Sequence, residues 1–333
     1  MPDFLGLNLP VPVLLAPLGG GPGTPALAAA VSRSGGLGTV GSAYFTPEQL
    51  LAAAGDTRAR TDRPFAMNLF VPALTPTFTP EEERAARAEL HAWQAELNVE
   101  PVHLQAPYLE GFDAQFQAVL DARPAVLSFT FGQLGAAQLQ ALRARGIRTL
   151  GTATGLREAL ALEASGVDAM ILQGGGAGGH RGSWLDDERL GTADLVRRVR
   201  PHVKLPLVAA GGLMTRQDVQ AALLAGASLA ALGTAFLLAD EAGTHPTYRQ
   251  ALEGGGETGL TRAFTGRWAR GLVNRAFHEI RHPLPTPAQH ALTRPLRQAA
   301  AAAGRSDLMS LWAGTGVNGA RRGPAGSILA QLT

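Results

Sequence analysis

Apolar positions along the chain follow two alternating patterns. Short, nearly continuous apolar runs recur at residues 11–16, 37–41, 65–69, 125–130, 147–152, 168–172, 205–210 and 228–232, as expected of strands buried on both faces. Between them, stretches rich in alanine and leucine carry apolar residues every three to four positions, predicting helices over 25–33, 47–54, 80–97, 112–122, 133–145, 156–165, 187–200 and 215–225. Thr24-Pro25, Thr46-Pro47 and Thr79-Pro80 each place a capping hydroxyl before a proline suited to the first helical position, and Gly35, Gly146, Gly166 and Gly226 stand where helices should stop. This alternation describes parallel strands joined by crossover helices. Eight repeats of it favour an α/β fold closed as a (β/α)8 TIM barrel over an open doubly wound sheet.

The rhythm stops after Leu238. Residues 240–306 are polar, rich in Arg, Gly, Thr and Pro, and show no clear strand run. The expected organisation is a barrel over 1–239, a small, mainly α-helical second domain over 240–306 above the active face, and a C-terminal segment, 307–333, returning to the barrel. A chain of 333 residues fits a barrel of about 250 residues with a modest addition.

Composition narrows the chemistry. With 29 Lys+Arg against 27 Asp+Glu, the net charge of +2 leaves no cationic surplus for a nucleic-acid backbone. The absence of cysteine removes disulfides, thiolate metal sites and thiolate nucleophiles. Lys204, the only lysine, lies between the turns Arg200-Pro201 and Leu205-Pro206 and makes a poor Schiff-base candidate. The uncharged stretch 4–32 is broken by prolines and has no basic start, and 219–239 is interrupted by Gly226 and Gly233. Neither reads as a signal peptide or a membrane span, so a cytoplasmic protein without membrane contact is expected.

The densest chemical signal follows the sixth strand, where Gln173 leads into Gly174-Gly175-Gly176-Ala177-Gly178-Gly179-His180-Arg181-Gly182. Barrel enzymes work at the C-terminal ends of their strands, and glycines there let main-chain N–H groups approach a ligand. Gly211-Gly212 after the seventh strand and Gly233-Thr234 after the eighth stand where barrels bind phosphate. The GxGxxG patterns at 36–41 and 174–179 lack the strand–turn–helix context of a dinucleotide site. His278-Glu279-Ile280-Arg281-His282 matches HExxH with both histidines on one helical face. Pro283 ends that helix at once and no third ligand is evident, so no metal is expected.

Several segments together resemble the nitronate monooxygenases, an FMN-dependent barrel family, once called 2-nitropropane dioxygenases, that also includes flavin enoyl-ACP reductases. They are Ala16-Pro17-Leu18-Gly19-Gly20, residues 28–41, Met67-Asn68-Leu69-Phe70-Val71-Pro72, residues 127–132, Gln173 through Ser183 with its AGGHRG, residues 209–212 and 233–237, and Thr265-Gly266-Arg267. The resemblance implies that Pro17 and Leu18 lie under the flavin ring and that Asn68 and Gln173 hydrogen-bond its polar edge or ribityl chain. Gly178, Gly179, Gly211, Gly212, Ala231, Leu232, Gly233 and Thr234 would hold the phosphate end, and His180 would be the catalytic residue. The implied reaction is oxidation of alkyl nitronates, or of the parent nitroalkanes, by O2 to carbonyl compounds and nitrite, without NAD(P)H. The alternative within the family is an FMN-dependent NAD(P)H enoyl-thioester reductase. Gly176 stands where many members carry Glu, Thr130 where some carry His, and Leu18 where Met is common.

Overall fold

The structure, a computed structural model, describes residues 4–72 and 76–333; the first three residues of the expected 1–239 segment, and residues 73–75, lie outside it. In chain order the strands are β1 (Val13–Leu15), β2 (Gly38–Val40), β3 (Phe65–Phe70), β4 (Val126–Thr130), β5 (Arg148–Ala153), β6 (Ala169–Gln173), β7 (Gly179–His180), β8 (Leu207–Ala210), β9 (Leu229–Leu232), β10 (Thr258–Thr261) and β11 (Ala269–Leu272). Eight form one parallel sheet in the order β1-β9-β8-β6-β5-β4-β3-β2. A parallel bridge between Leu14 and Leu37 joins its two ends, with Leu15 N–H donating to the Leu37 carbonyl and Leu37 N–H to that of Val13, each at 2.9 Å. The sheet is thereby a closed barrel, with a strand at each of the eight expected places.

Closure explains the continuous apolar runs. Leu14, Leu37, Ala66, Val126, Leu150, Ala169, Ile171, Val208, Leu229 and Ala231 form one cluster inside the barrel. The alternate positions, among them Val13, Leu15, Met67, Leu127, Leu172 and Leu232, pack outward against helix residues such as Leu27, Leu50, Val119, Leu162 and Val219. A strand with no solvent face has no position for a polar residue to recur. The contact is closest at Gly38, where a Cβ would sit 1.9 Å from the carbonyl oxygen of Ala28 in the helix Pro25–Arg33.

Helices Pro25–Arg33, Pro80–Leu97, Phe112–Ala122 and Leu156–Ser165 have the expected bounds. The helix expected over 215–225 spans Arg216–Leu224, and three others shift for local reasons. The helix expected over 47–54 runs to Arg60, passing Gly55 because Ala53, Ala54 and Thr57 continue its buried face. The helix expected over 133–145 starts at Ala136, where Gly135 N–H donates to Gln138 Oε1. The helix expected over 187–200 starts at Thr192, because Asp187 and Glu188 turn away to Arg181, Arg189 and Arg198.

Beyond the barrel, residues 240–306 contain helices Pro246–Gly254, Arg275–Glu279 and Ala288–Ala302. They also contain an antiparallel hairpin, β10–β11, where no strand was expected. Its residues carry Gly259, Arg270 and Gly271 in place of alternating apolar positions, so neither periodicity nor composition marks it. A second apolar cluster joins these elements to Leu90 and Trp93 of helix Pro80–Leu97 and to Leu308 and Leu311. Arg275 and Arg305 both pair with Glu96, and Trp93 Nε1 donates to Glu279, fastening that helix to the cluster. The C-terminal helix Ala325–Gln331 lays Ile328 and Leu329 into the strand–helix core. The HExxH segment does not form the expected single helical face: the helix ends at Glu279, and His282 beyond it pairs with Glu89 at 2.6 Å.

Two glycine substitutions test this packing. Gly38→Ala meets backbone that cannot rotate away and is expected to lower the unfolding free energy by about 3 kcal/mol or more. Gly55→Ala, which meets nothing within 4 Å inside a helix, is expected to raise it by about 1 kcal/mol. Urea denaturation of the two variants measures both; equal effects would contradict the close contact.

Candidate active site

A cavity of about 1050 Å³ opens at the C-terminal ends of the barrel strands, lined there by Ala16, Asn68, Thr130, Thr152, Gln173, Ala210 and Ala231. Its most elaborate wall is the loop after β6. Glycine-rich backbone has no side chains to hold it, so its polar groups must find partners elsewhere. The Gln173 amide closes the loop from below: Nε2 donates to the His180 carbonyl at 3.0 Å, and Oε1 accepts from Gly182 N–H at 2.8 Å. Arg181, 1% exposed, donates to the Gly174 and Gln173 carbonyls and forms an ion pair with Asp187. From the other side, β7 pairs with β11, His180 opposite Ala269 and Gly179 opposite Arg270, and Arg270 reaches on to the Gly175 carbonyl.

The loop's glycines make room for a second backbone segment. A Cβ on Gly178 would fall 2.5 Å from Gly314 N, and one on Gly176 or Gly212 would fall 2.7 Å from Thr315 Oγ1. Gly211 and Gly212 also hold φ of +117° and +70°, conformations that side chains rarely adopt. Thr234 Oγ1 accepts from Gly314 N–H at 2.9 Å. Residues 174–178, 211–212, 233–234 and 313–316 thus converge as a cradle of backbone with little side-chain bulk.

Of the residues expected at the site, His180, Pro17, Leu18, Asn68, Gln173, Gly178, Gly179, Gly211, Gly212, Ala231, Gly233 and Thr234 all line the cavity. Leu232 does not: its side chain belongs to the strand–helix core, and its carbonyl accepts from Ala16 N–H. Strand alternation turns it away from the face that Ala231 presents. The sequence reading missed Tyr44, Phe70, Phe131, His290, Arg294, Arg297, Trp312 and Gly314, which line the cavity as well. Two signals could have found some of them: the Gly314-Thr315-Gly316 triplet after Trp312, and the polar stripe 290, 294, 297, 298 at helical spacing.

His180 stands in an aromatic enclosure, its ring centroid 5.6 Å from that of Trp312, 6.1 Å from Phe131 and 6.3 Å from Phe70. Its Nε2 lies 2.9 Å from Thr265 Oγ1. Burial, and then the positive charges of Arg267 and Arg297, push its pKa down to about 3. The Arg267 guanidinium stacks 3.9 Å from the centre of Phe131, a residue held at φ +79°. His290 stacks on Tyr44, the rings 4.9 Å apart and nearly parallel, and is pushed down to about 2 by burial, Arg297, His180 and Arg294. Both imidazoles are therefore neutral at pH 7, in a field set by arginines. Among the described residues, no group of three His, Asp or Glu side chains could hold a metal ion.

These neutral histidines predict a pH dependence of stability. Their folded pKa values lie below the unfolded value near 6.5, so the unfolded chain takes up protons first as pH falls. Stability is fully present above about pH 6.5 and declines toward pH 3. Thermal unfolding between pH 7 and 5 should show this decline, and His290→Gln should make it shallower; an unchanged slope would contradict the assignment.

Comparison with known proteins agrees with this geometry. The family model described as nitronate monooxygenase matches residues 4–333. The chain is 41% identical to nitronate monooxygenase of Pseudomonas aeruginosa over 339 residues, covering 98% of this chain and 96% of that protein. The crystal structure of nitroalkane oxidase from Streptomyces ansochromogenes matches with a TM-score of 0.92 and 40% identity over 98% of this chain and 95% of that one. A FabK variant from Thermotoga maritima is more distant, with a TM-score of 0.75 and 25% identity over 98% and 92% of the two chains. With its family model matched over nearly its whole length, the chain belongs to the nitronate monooxygenase family and is an oxidoreductase.

Proposed function

We propose that the protein is an FMN-dependent nitronate monooxygenase that oxidises alkyl nitronates with O2 to carbonyl compounds and nitrite. The observation that carries this reading is the placement of His180 in an aromatic enclosure on the cavity wall, where the charges acting on it, Arg267 and Arg297, are both positive. Such a site favours an anion and disfavours making a second cation.

The cavity fits the flavin. Backbone at Gly176, Gly178, Gly211 and Gly212, where a Cβ would collide, meets Thr234 and Gly314 in a cradle suited to a phosphate. Asn68 Nδ2 is committed to Ser128, which leaves its Oδ1 to accept from a ring N–H. Gln173 spends one amide proton and its oxygen on the His180 loop, so its part in flavin binding is limited to the remaining proton. Pro17 and Leu18 supply an apolar floor. When bound, FMN supplies the redox chemistry, accepting electrons from the nitronate and passing them to O2.

The chain's own contribution is to hold and orient the anion. Thr265 orients the His180 ring: its hydroxyl oxygen lies 2.9 Å from Nε2 while it donates to the Arg267 carbonyl, which leaves Nδ1 as the ring nitrogen open to a ligand. Phe70, Phe131 and Trp312 keep water from the reacting carbon. Abstracting a proton from a neutral nitroalkane would instead create an imidazolium beside two arginines. Nitronates should therefore exceed the parent nitroalkanes in kcat/KM at pH 7 by about 100-fold or more.

The deciding experiment mixes FMN-loaded protein anaerobically with an alkyl nitronate, and separately with NADH and NADPH, while following flavin absorbance. Reduction by nitronate alone, with O2 uptake and nitrite release on admitting air, is the expected result; reduction only by a pyridine nucleotide would replace this reading with the enoyl-thioester reductase. Two variants separate binding from turnover. His180→Asn should retain FMN and lose about 100-fold in kcat/KM for the nitronate, whereas Gly212→Asp, placing a carboxylate in the cradle, should purify without flavin. Full activity in the first or full flavin in the second would contradict the roles assigned.

A further inference from the structure

The turn Thr265-Gly266-Arg267 leads into β11 and carries a guanidinium to which the reaction scheme above gives no task beyond its charge. Gly266, at φ +77°, runs so close to residues 284–286 that a Cβ there would fall 2.2 Å from the Leu284 carbonyl oxygen, which leaves the turn one shape. From it the half-buried Arg267 reaches back to the loop after β6, Nε donating to the Arg181 carbonyl at 3.2 Å and Nη2 to the Ser183 carbonyl. These two carbonyls flank Gly182, whose N–H is already held by Gln173. The guanidinium also lies 3.9 Å from the centre of the Phe131 ring. Phe131 and Thr265 line the cavity, and Arg267 does not.

Both residues that Arg267 holds end at His180. Phe131 packs against the imidazole with ring centres 6.1 Å apart and planes at 89°. It does so from φ +79°, a conformation that costs a phenylalanine free energy and persists only where its surroundings enforce it. The stack on Arg267 supplies part of that enforcement. The Arg267 carbonyl accepts from Thr265 Oγ1 at 3.3 Å, and the same oxygen lies 2.9 Å from His180 Nε2. One residue thus joins the loop after β4, the loop after β6 and the turn before β11. Lysine could not replace it, since a point charge on a flexible stem neither forks to two carbonyls nor lies flat on a ring. The Arg267 charge acts on His180 as well, as does that of Arg297 from helix Ala288–Ala302.

We propose that Arg267 is a positioning residue for the reaction, holding Phe131 and Thr265 against His180 so that the imidazole presents Nδ1 to the cavity in a single orientation. This role deepens the nitronate reading above and rests on it for the identity of the group that Nδ1 meets. The charge and the planar fork make separable contributions. The charge helps to hold an anion and shows in KM, while the fork sets the imidazole and shows in kcat.

The test compares FMN-loaded wild type, Arg267→Lys, Arg267→Met and Thr265→Val on propyl-1-nitronate. Arg267→Lys keeps the charge without the fork and should lose about 10-fold in kcat with KM changed by less than about 2-fold, while Arg267→Met should add a rise in KM. Thr265→Val breaks the link to the imidazole with the cation in place and should repeat the kcat loss. In the double variant Arg267→Lys/Thr265→Val the two losses should not multiply in full, because they act along one connection. A kcat fully retained with lysine, or losses that multiply in full, would overturn the proposal. Nitrogen nuclear magnetic resonance of labelled histidine reads the ring without turnover. His180 should show one tautomer in wild type and averaged ring-nitrogen signals in Arg267→Lys and Thr265→Val at pH 7; signals unchanged in both variants would overturn the proposal. If the nitronate is not turned over at all, these signals alone decide the role of Arg267, and only the nitronate reading fails.

Discussion

The site depends on how a stretch of backbone with almost no side chains is held in one shape. Residues 174–179 are nearly all glycine, and such a segment loses more conformational freedom on ordering than any other. Three devices offset that loss. The Gln173 amide ties the far end of the loop back to β6, the buried Arg181 gathers the Gly174 and Gln173 carbonyls while its charge is met by Asp187, and β11 takes Gly179 and His180 as a short third strand. Each device holds main chain, so the position of His180 is set by backbone hydrogen bonds, while Thr265 and the surrounding aromatic rings orient its imidazole.

This framework sets the electrostatics. Arg181 pairs directly with Asp187, whereas Arg267, which donates to the Arg181 carbonyl and stacks on Phe131, forms no ion pair within 4 Å among the described residues. With Arg297 it leaves the enclosure positive while the imidazole stays neutral. The strained φ of Phe131 sits in the same assembly, as strain often does near reacting groups. A site of this kind attracts an anion without having to form it, and that distinguishes binding a nitronate from deprotonating a nitroalkane.

Much of the architecture was legible because it follows from local rules. Parallel strands buried on both faces are predominantly apolar, crossover helices show one apolar stripe, and Thr-Pro and Gly mark their ends; all eight barrel strands appear where these rules put them. The hairpin β10–β11 was not legible, because Arg270 serves the His180 loop and Gly271 makes room for Leu311 and Trp312, so neither adds to an apolar alternation. Glycine density in the sequence points to the glycines and the histidine that line the cavity in the structure. Leu232 falls outside the cavity lining because it is the last residue of β9, where strand alternation turns it away from the face that Ala231 presents. The wall formed by His290, Arg294 and Arg297 comes from a helix more than a hundred residues away in sequence from His180; the polar stripe is visible at helical spacing, but the same stripe would suit a solvated face, and only the fold turns it to the cavity.

The reaction scheme requires that His180 stay neutral in a positive, enclosed site. The most direct measurement is a nuclear magnetic resonance titration of isotopically labelled histidine in the FMN-loaded protein, with His180→Asn identifying the resonance. The account predicts that the His180 signal keeps the chemical shifts of a neutral imidazole from pH 8 down to about pH 5. A midpoint near 6.5 would contradict it, since His180 would then carry positive charge in part of the physiological range and could act as an acid or base on neutral nitroalkanes.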